Sequence, residues 1–138
     1  MADFLDLLRG GVVLGDGALG TLLHQRGQPL NACYDALNLS QPALIQEVHR
    51  EYLDAGAQLI ETNTFGASRL KLEKFNLAGE LAAINRRGAE LAVELARPRG
   101  AFVAGSVGPL ASDPSVTLTD ETRRQLYREQ CEIGRAHV

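Results

Sequence analysis

The chain has 138 residues with 14 Lys and Arg against 17 Asp and Glu, and its net charge of −3 at pH 7 excludes the basic surface of a nucleic-acid binder. No apolar run reaches the length of a membrane span, and the two cysteines, Cys33 and Cys131, predict a reduced, cytoplasmic protein without a membrane partner. Hydrophobic residues make up 45% and aromatic residues 5%, so the predicted core consists mainly of Leu, Val, Ile and Ala, which is typical of helices packed on parallel strands.

The first half of the chain predicts one strand and one long helix. Residues 12–14 form a short apolar run that predicts the first strand, and an irregular segment over 22–39 follows. His49 has charged neighbours in sequence, so we expect it to face solvent or to pack at its edge. A helix is predicted to begin near Ser40, with Pro42 in its first turn, because five apolar residues recur at helical spacing: Leu44, Ile45, Val48, Tyr52 and Leu53.

The second half repeats this alternation. Residues 57–61 and 101–104 predict the second and third strands. Between them, a helical pattern is interrupted at Gly79 and ends at Pro98. A last helix is predicted to begin near Thr119, because the two acidic residues that follow favour the positive end of a helix dipole.

Small and polar residues gather at three predicted strand ends, in residues 15–21, 61–68 and 105–109. In parallel α/β folds, ligands bind at the carboxyl ends of the strands, so these segments predict a binding site. Alternating strands and helices favour a parallel sheet, which belongs either to an open, doubly wound fold or to a closed barrel. Three such units are too few to close a barrel of eight.

Gly15, Gly17 and Gly20 match the spacing of the dinucleotide-binding fingerprint. The fingerprint needs a helix that opens at its third glycine, but only a few residues separate Gly20 from Gly27. It also needs an acidic residue at the end of the next strand, and none ends a strand at the required distance. A small Rossmann-like nucleotide-binding module that uses these three glycines therefore stays the alternative function. A tight turn would account for the glycines but not for Asp16, whose carboxylate stands among them.

Several motifs in order resemble those of the homocysteine S-methyltransferase family, which includes the homocysteine-binding barrel of cobalamin-dependent methionine synthase and bifunctional relatives fused to a methylenetetrahydrofolate reductase. The matching segments are 16–21, 37–42, 49–52, 55–57, 61–67 and 105–109. The resemblance extends over about 14–130. It implies an α/β fold in which residues 1–131 form the N-terminal part, about three βα units, of a (β/α)8 TIM barrel that binds homocysteine.

The resemblance implies methyl transfer to the sulfur of homocysteine, which forms methionine. In the family, a zinc ion held by three cysteine thiolates binds that sulfur as a thiolate, because coordination removes the proton of the thiol. The resemblance places the zinc cysteines beyond Gln130, and neither Cys33 nor Cys131 matches them. We therefore expect no metal ligands and no catalytic residues in this chain, and an inactive fragment. The methyl donor is left open among methylcobalamin, methyltetrahydrofolate, S-methylmethionine and betaine.

The resemblance also assigns substrate-binding residues. Asp16 and Gly17 would hold the amino-acid end of homocysteine, and the missing side chain of Gly17 would let the ligand approach the backbone. Alternatives stay open at the second strand end, where Phe65 could plug the barrel mouth and Asn63 could satisfy loop backbone. The other pocket residues follow the second and third strands: Asn63, Thr64, Phe65, Gly105 and Ser106.

Residues 132–138 interrupt the pattern of the last helix. One back-translation of these residues is similar to a common sequencing-library adapter. We therefore predict that 132–138 is a non-native tail, with an ordinary native tail as the alternative. As an open set of βα units with an unpaired strand edge, the isolated chain is expected to be only marginally stable.

Overall fold

The computed structural model describes residues 3–111 and 113–137. Met1, Ala2, Ser112 and Val138, which fall within the predicted domain and tail, lie outside the described residues. Three short 3-10 turns span Tyr34–Ala36, Ala78–Glu80 and Arg97–Arg99. The described helices and strands are, in chain order, α1 (Phe4–Gly10), α2 (Leu19–Gln25), α3 (Leu37–Ser40), α4 (Pro42–Asp54), β1 (Leu59–Glu61), α5 (Arg69–Glu73), α6 (Leu81–Ala96), β2 (Phe102–Ala104) and α7 (Asp120–His137).

The two strands form a small parallel sheet. Ile60 of β1 lies opposite Val103 of β2, with the flanking residues in register. On the other side of β1, Gly15 pairs with Leu59 in an isolated parallel bridge, and the N–H of Asp16 donates to the carbonyl of Leu59 at 2.9 Å. The chain is thus a mostly helical α/β structure with parallel strand pairing, which confirms the predicted fold class at that level.

The first predicted strand is reduced to this single bridge. The structure describes no strand over 12–14, where Val12 is 96% exposed and Leu14 is 54% exposed, so the prediction of a strand at these residues is wrong. The backbone still follows β1, because the carbonyl of Leu14 accepts the N–H groups of Gln58 and Leu59. Among the described residues, β1 is the one strand that pairs with this segment, and a strand with one neighbour has little to cover its apolar side chains.

The long helices α4 and α6 cover the sheet as the helical periodicity predicts. Pro42 occupies the first turn of α4, and the 3-10 turn that contains Pro98 follows α6. Both helices are amphipathic, and their apolar sides meet the strands in one hydrophobic cluster. Its buried members are Leu53, Ala57, Ile60, Ala92 and Ala96.

His49 is fully buried on α4, so the expectation that it faces solvent or packs at its edge is wrong. Residues four apart share a helix face, and His49 lies between Ile45 and Leu53, which are also buried. The charged residues next to it in sequence point elsewhere. Neither ring nitrogen has a hydrogen-bond partner among the described residues, and burial lowers the pKa of His49 from 6.5 to about 4.

The last helix is longer than predicted. α7 continues to His137, so the prediction that the helical pattern ends before Glu132 is wrong. Gly134 costs a helix only about 1 kcal/mol, and Ile133 packs against a cluster that contains Leu72 and Ile84. Whether 132–138 is native stays a prediction. None of the described helices combines the length and the apolar character needed to cross a membrane.

Candidate functional site

A cleft of about 610 Å³ opens where β1 and the segment after Gly15 end. Five of the seven predicted site residues line this cleft: Asp16, Gly17, Asn63, Phe65 and Ser106. The other two, Thr64 and Gly105, line a smaller cavity of about 210 Å³ beside α7, which Ser106 also borders. The structure therefore brings together residues from three strand ends, as the parallel arrangement predicts.

Asp16 is tied to the neighbouring strand. Its Oδ2 accepts the backbone N–H of Glu61 at 2.9 Å, across 45 positions in sequence. Burial raises the pKa of the half-buried Asp16 carboxyl above its usual range, the Glu61 N–H opposes this rise, and the negative charge of Glu61 adds to it. Because a nearby cation favours the ionised carboxylate, this site is suited to a positively charged ligand group.

Gly17 makes room for a neighbouring helix. A Cβ at this position would lie 3.0 Å from the hydroxyl of Tyr52, which donates to the carbonyl of Ala18 at 2.9 Å. The ring of Tyr52, on α4, thus occupies the side that a side chain would need. We expected a ligand to approach the backbone of Gly17. On the side where a side chain would lie, Tyr52 already fills that space.

Asn63 holds the loop after β1 to the segment before α4. Its side-chain Nδ2 donates to the carbonyl of Tyr34 at 2.8 Å and to Asn38 Oδ1 at 3.0 Å. In return, Asn38 Nδ2 donates to the carbonyl of Asn63 at 2.8 Å and to that of Ile84 at 3.1 Å. Asn63 therefore satisfies loop backbone, as one of the two alternatives predicted, and also borders the cleft.

Thr64 joins the loops that follow β1 and β2. Its hydroxyl donates to the carbonyl of Ser106 at 2.8 Å and lies 2.6 Å from the hydroxyl of Thr62. The N–H of Ser106 donates to Thr62 Oγ1 at 3.0 Å, and Gln130 of α7 donates from its amide nitrogen to the carbonyl of Thr64 at 2.7 Å. Thr64 is buried in this network, away from the main cleft.

Phe65 stands at the mouth of the cleft with 58% of its surface exposed, which does not fit a buried plug. The ammonium group of Lys71 lies 5.0 Å from the ring centroid, within the range of a cation–π contact. An exposed aromatic ring at the mouth of a cleft can cover a bound ligand. The position of the Phe65 ring therefore affects how open the cleft is.

Sequence reasoning missed Asp35 as part of the cleft wall. Asp35 is 9% exposed, and its Oδ1 accepts the N–H of Gly66 at 2.9 Å. Burial raises the pKa of the Asp35 carboxyl, and the Gly66 N–H and the charge of Lys71 lower it. Asp35 lies in the irregular segment over 22–39, where no periodic pattern marks a buried residue.

The zinc donor set that the resemblance implies, three cysteine thiolates, does not fit the residues described here. Over 3–111 and 113–137, no group of three or more His, Cys, Asp or Glu could hold a metal ion. Cys33 and Cys131 are free thiols on different cavities, the first in the cleft wall and the second on α7. Burial raises the pKa of the Cys33 thiol, so it is protonated rather than poised as a ligand.

The nucleotide-binding alternative is not favoured by the local geometry. α2 begins at Leu19, before the third glycine of the fingerprint, and contains seven residues. A Cβ on Gly20 would meet the ring of Tyr34 at 3.5 Å, so this glycine faces protein. The fingerprint instead needs a helix that opens at its third glycine and presents free N–H groups to a pyrophosphate.

Comparison with known proteins decides between the two interpretations. The sequence model of the family described as homocysteine S-methyltransferase matches residues 13–138. The chain belongs to the homocysteine S-methyltransferase family. The predicted resemblance is therefore confirmed, and its matching region continues through the last helix.

Two methionine synthases are similar to this chain in sequence. The chain is 33% identical over 129 residues to methionine synthase of Mycobacterium tuberculosis, and the matched region covers 86% of this chain and 11% of that protein. It is 35% identical over 141 residues to methionine synthase of Mycobacterium leprae, covering 92% and 12%. The chain thus spans about an eighth or less of these relatives.

Solved structures of a homocysteine methyltransferase share the fold. The crystal structure of MmuM from Escherichia coli in its metallated form superimposes with a TM-score of 0.80 at 28% identity, covering 93% of this chain and 51% of that one. Its oxidised form gives a TM-score of 0.82 at 28% identity, covering 95% and 52%. The chain thus spans about half of the MmuM chain.

Proposed function

We propose that the protein to which this chain belongs transfers a methyl group to the sulfur of homocysteine, forming methionine, and that this chain supplies the amino-acid end of the homocysteine pocket. The observation that carries the proposal is the convergence of five expected residues in one cleft of a chain of this family. The nucleotide-binding alternative has no comparable support.

Asp16 is assigned the α-ammonium group of homocysteine. Its carboxylate stands at the cleft with its orientation set by the Glu61 N–H, and its raised pKa reflects burial that a bound cation would offset. The contact is a charge-assisted hydrogen bond. The backbone beside Gly17 and the polar groups of Asn63 and Ser106, which border the same cleft, would contact the rest of the amino-acid end.

Zinc and the methyl donor are assigned to parts of the protein other than the described residues. Zinc held by those other parts would favour the deprotonated form of the substrate sulfur. We propose that residues 1–131 form about three βα units of a (β/α)8 barrel in a cytoplasmic protein, where Cys33 and Cys131 stay reduced. We also propose that this chain alone is inactive and that 132–138 is non-native, which the genomic reading frame after residue 131 would test.

The proposal is tested with the full-length protein loaded with zinc. Methionine formation from homocysteine is measured with methylcobalamin, methyltetrahydrofolate, S-methylmethionine and betaine as separate donors, with cysteine as the control acceptor. Methionine from at least one donor, absent with the 138-residue chain alone, supports the proposal. Tight binding of a dinucleotide by a protein that uses none of the donors would overturn it in favour of the alternative module.

A further inference from the structure

We infer that Asp35 is a positioning residue that holds the loop after β1 in the conformation that lines the cleft. The loop, residues 62–67, contains three of the predicted site residues, and two of them, Asn63 and Phe65, line the cleft. The inference rests on the proposed function only for the identity of the ligand, because the contacts that carry it are within the chain.

The loop is attached to the segment 34–38 at both of its ends. At the start, the amide of Asn63 donates to the carbonyl of Tyr34, and Asn38 donates to the carbonyl of Asn63, both at 2.8 Å. At the far end, the N–H of Gly66 donates to Asp35 Oδ1 at 2.9 Å. Neighbouring residues of one segment thus fix two points of the loop, and Phe65 lies between them.

The carboxylate of Asp35 is packed directly on the loop backbone. A Cβ at Gly66 would lie 2.6 Å from Asp35 Oδ2, so only a glycine lets the backbone come this close. Asp35 is 9% exposed. Removing its carboxylate would leave the half-buried Gly66 N–H without this partner, which would favour a different loop conformation.

The contact between Asp35 and Gly66 also affects the position of the Phe65 ring and of the loop after β2. Phe65 immediately precedes Gly66, and its ring borders the cleft beneath the ammonium group of Lys71. The carbonyl of Phe65 accepts the N–H of Gly108 at 3.0 Å. A Cβ on Gly108 would lie 2.5 Å from that carbonyl oxygen, so the loop after β2 rests closely on the loop that Asp35 holds.

The experiment places 4-fluorophenylalanine at position 65 of the full-length protein and records its ¹⁹F NMR signal together with homocysteine affinity. Asp35→Ala should shift or broaden the signal and weaken homocysteine binding by about tenfold, the size expected from a lost hydrogen bond to a charged group. Asp35→Asn keeps an oxygen that accepts the Gly66 N–H, so it should retain the signal and weaken binding by less than about threefold. Asp54→Ala, which removes an exposed carboxylate paired with Arg99, is the matched control and should change neither.

A second variant keeps the test decisive if Asp35→Ala does not fold. Gly66→Ala retains the carboxylate but forces it away from the loop, and it should shift the same ¹⁹F signal. An unchanged signal in Gly66→Ala overturns the inference. So does an Asp35→Asn variant that loses as much affinity as Asp35→Ala with the signal unmoved, since that result means direct charge contact with the ligand. A wild-type protein that binds no homocysteine contradicts the proposed function alone, because the ¹⁹F comparison still tests Asp35.

Discussion

The carboxylate of Asp16 accepts the backbone N–H of Glu61 at 2.9 Å, which joins the segment after Gly15 to the end of β1. Asp16 therefore has two roles that can be separated. It bridges two parallel segments, and it presents a half-buried carboxylate to the cleft. An amide in its place could preserve the first role but not the second, because an amide oxygen accepts a hydrogen bond without carrying a charge.

The buried imidazole of His49 makes the stability of the fold depend on pH. The folded-state pKa of about 4 lies below the unfolded value of 6.5, so the unfolded state binds the proton first as the pH falls. The stability contribution is complete above pH 6.5 and is lost between pH 6.5 and 4, on the order of 3 kcal/mol in total.

Two measurements check this pH dependence. NMR titration of the histidine rings should give His49 a pKa near 4, and His49→Leu should flatten the loss of unfolding free energy over that pH window. His24→Leu, at an exposed position, is the matched control for replacing an imidazole by leucine. A His49 that titrates at its ordinary value would contradict the buried, unpartnered environment.

Two helical glycines should respond to alanine in opposite directions. At Gly88, on α6, a Cβ would lie 2.7 Å from both Asn38 Nδ2 and Thr64 Cγ2. Gly88→Ala should therefore lower the free energy of unfolding by about 1–3 kcal/mol, the range for overpacking. At Gly134, on α7, nothing lies within 4 Å of a Cβ. Gly134→Ala should therefore raise the free energy of unfolding by about 0.5–1 kcal/mol, because alanine has the higher helix propensity. Urea unfolding measures both, and equal effects would show that α6 does not pack as described.

The chain alone should not bind zinc tightly at a fixed stoichiometry. The described residues offer no cluster of three or more metal-binding side chains, and Cys33 and Cys131 lie on different cavities. Metal analysis after dialysis should therefore find much less than one zinc per chain. One tightly held zinc that disappears in Cys33→Ser but not in Cys131→Ser would contradict this account of the cleft.

Elements with strong local signals could be predicted from the sequence. α4 and α6 have apolar residues at helical spacing and prolines at the start of one and after the other, and both lie where expected. The two β-strands were also predicted, although each is shorter than its apolar run. These signals are local, because periodicity and proline act within a few residues.

Features that depend on distant neighbours could not be predicted in the same way. The contact between Asp35 and Gly66 joins residues 31 positions apart, and the burial of His49 depends on what its helix face meets. The predicted first strand is a local signal that the structure does not follow. An apolar run becomes a strand only where neighbouring strands pair with it. The positions of Asp16 and Asn63 at the cleft were predicted, but not the backbone groups that hold them.

The homocysteine affinity of Asp16→Asn in the full-length protein, measured by calorimetry beside its melting temperature, tests whether the Asp16 carboxylate binds the α-ammonium group. Binding should weaken by roughly 1.5–3 kcal/mol, the range for hydrogen bonds to charged groups, with the melting temperature nearly unchanged. Glu61→Gln, which removes the neighbouring carboxylate at the same cleft, is the matched control and should weaken binding much less. A lower melting temperature with homocysteine affinity intact would contradict the assignment of Asp16 to the α-ammonium group and leave it only as a bridge between two strand ends.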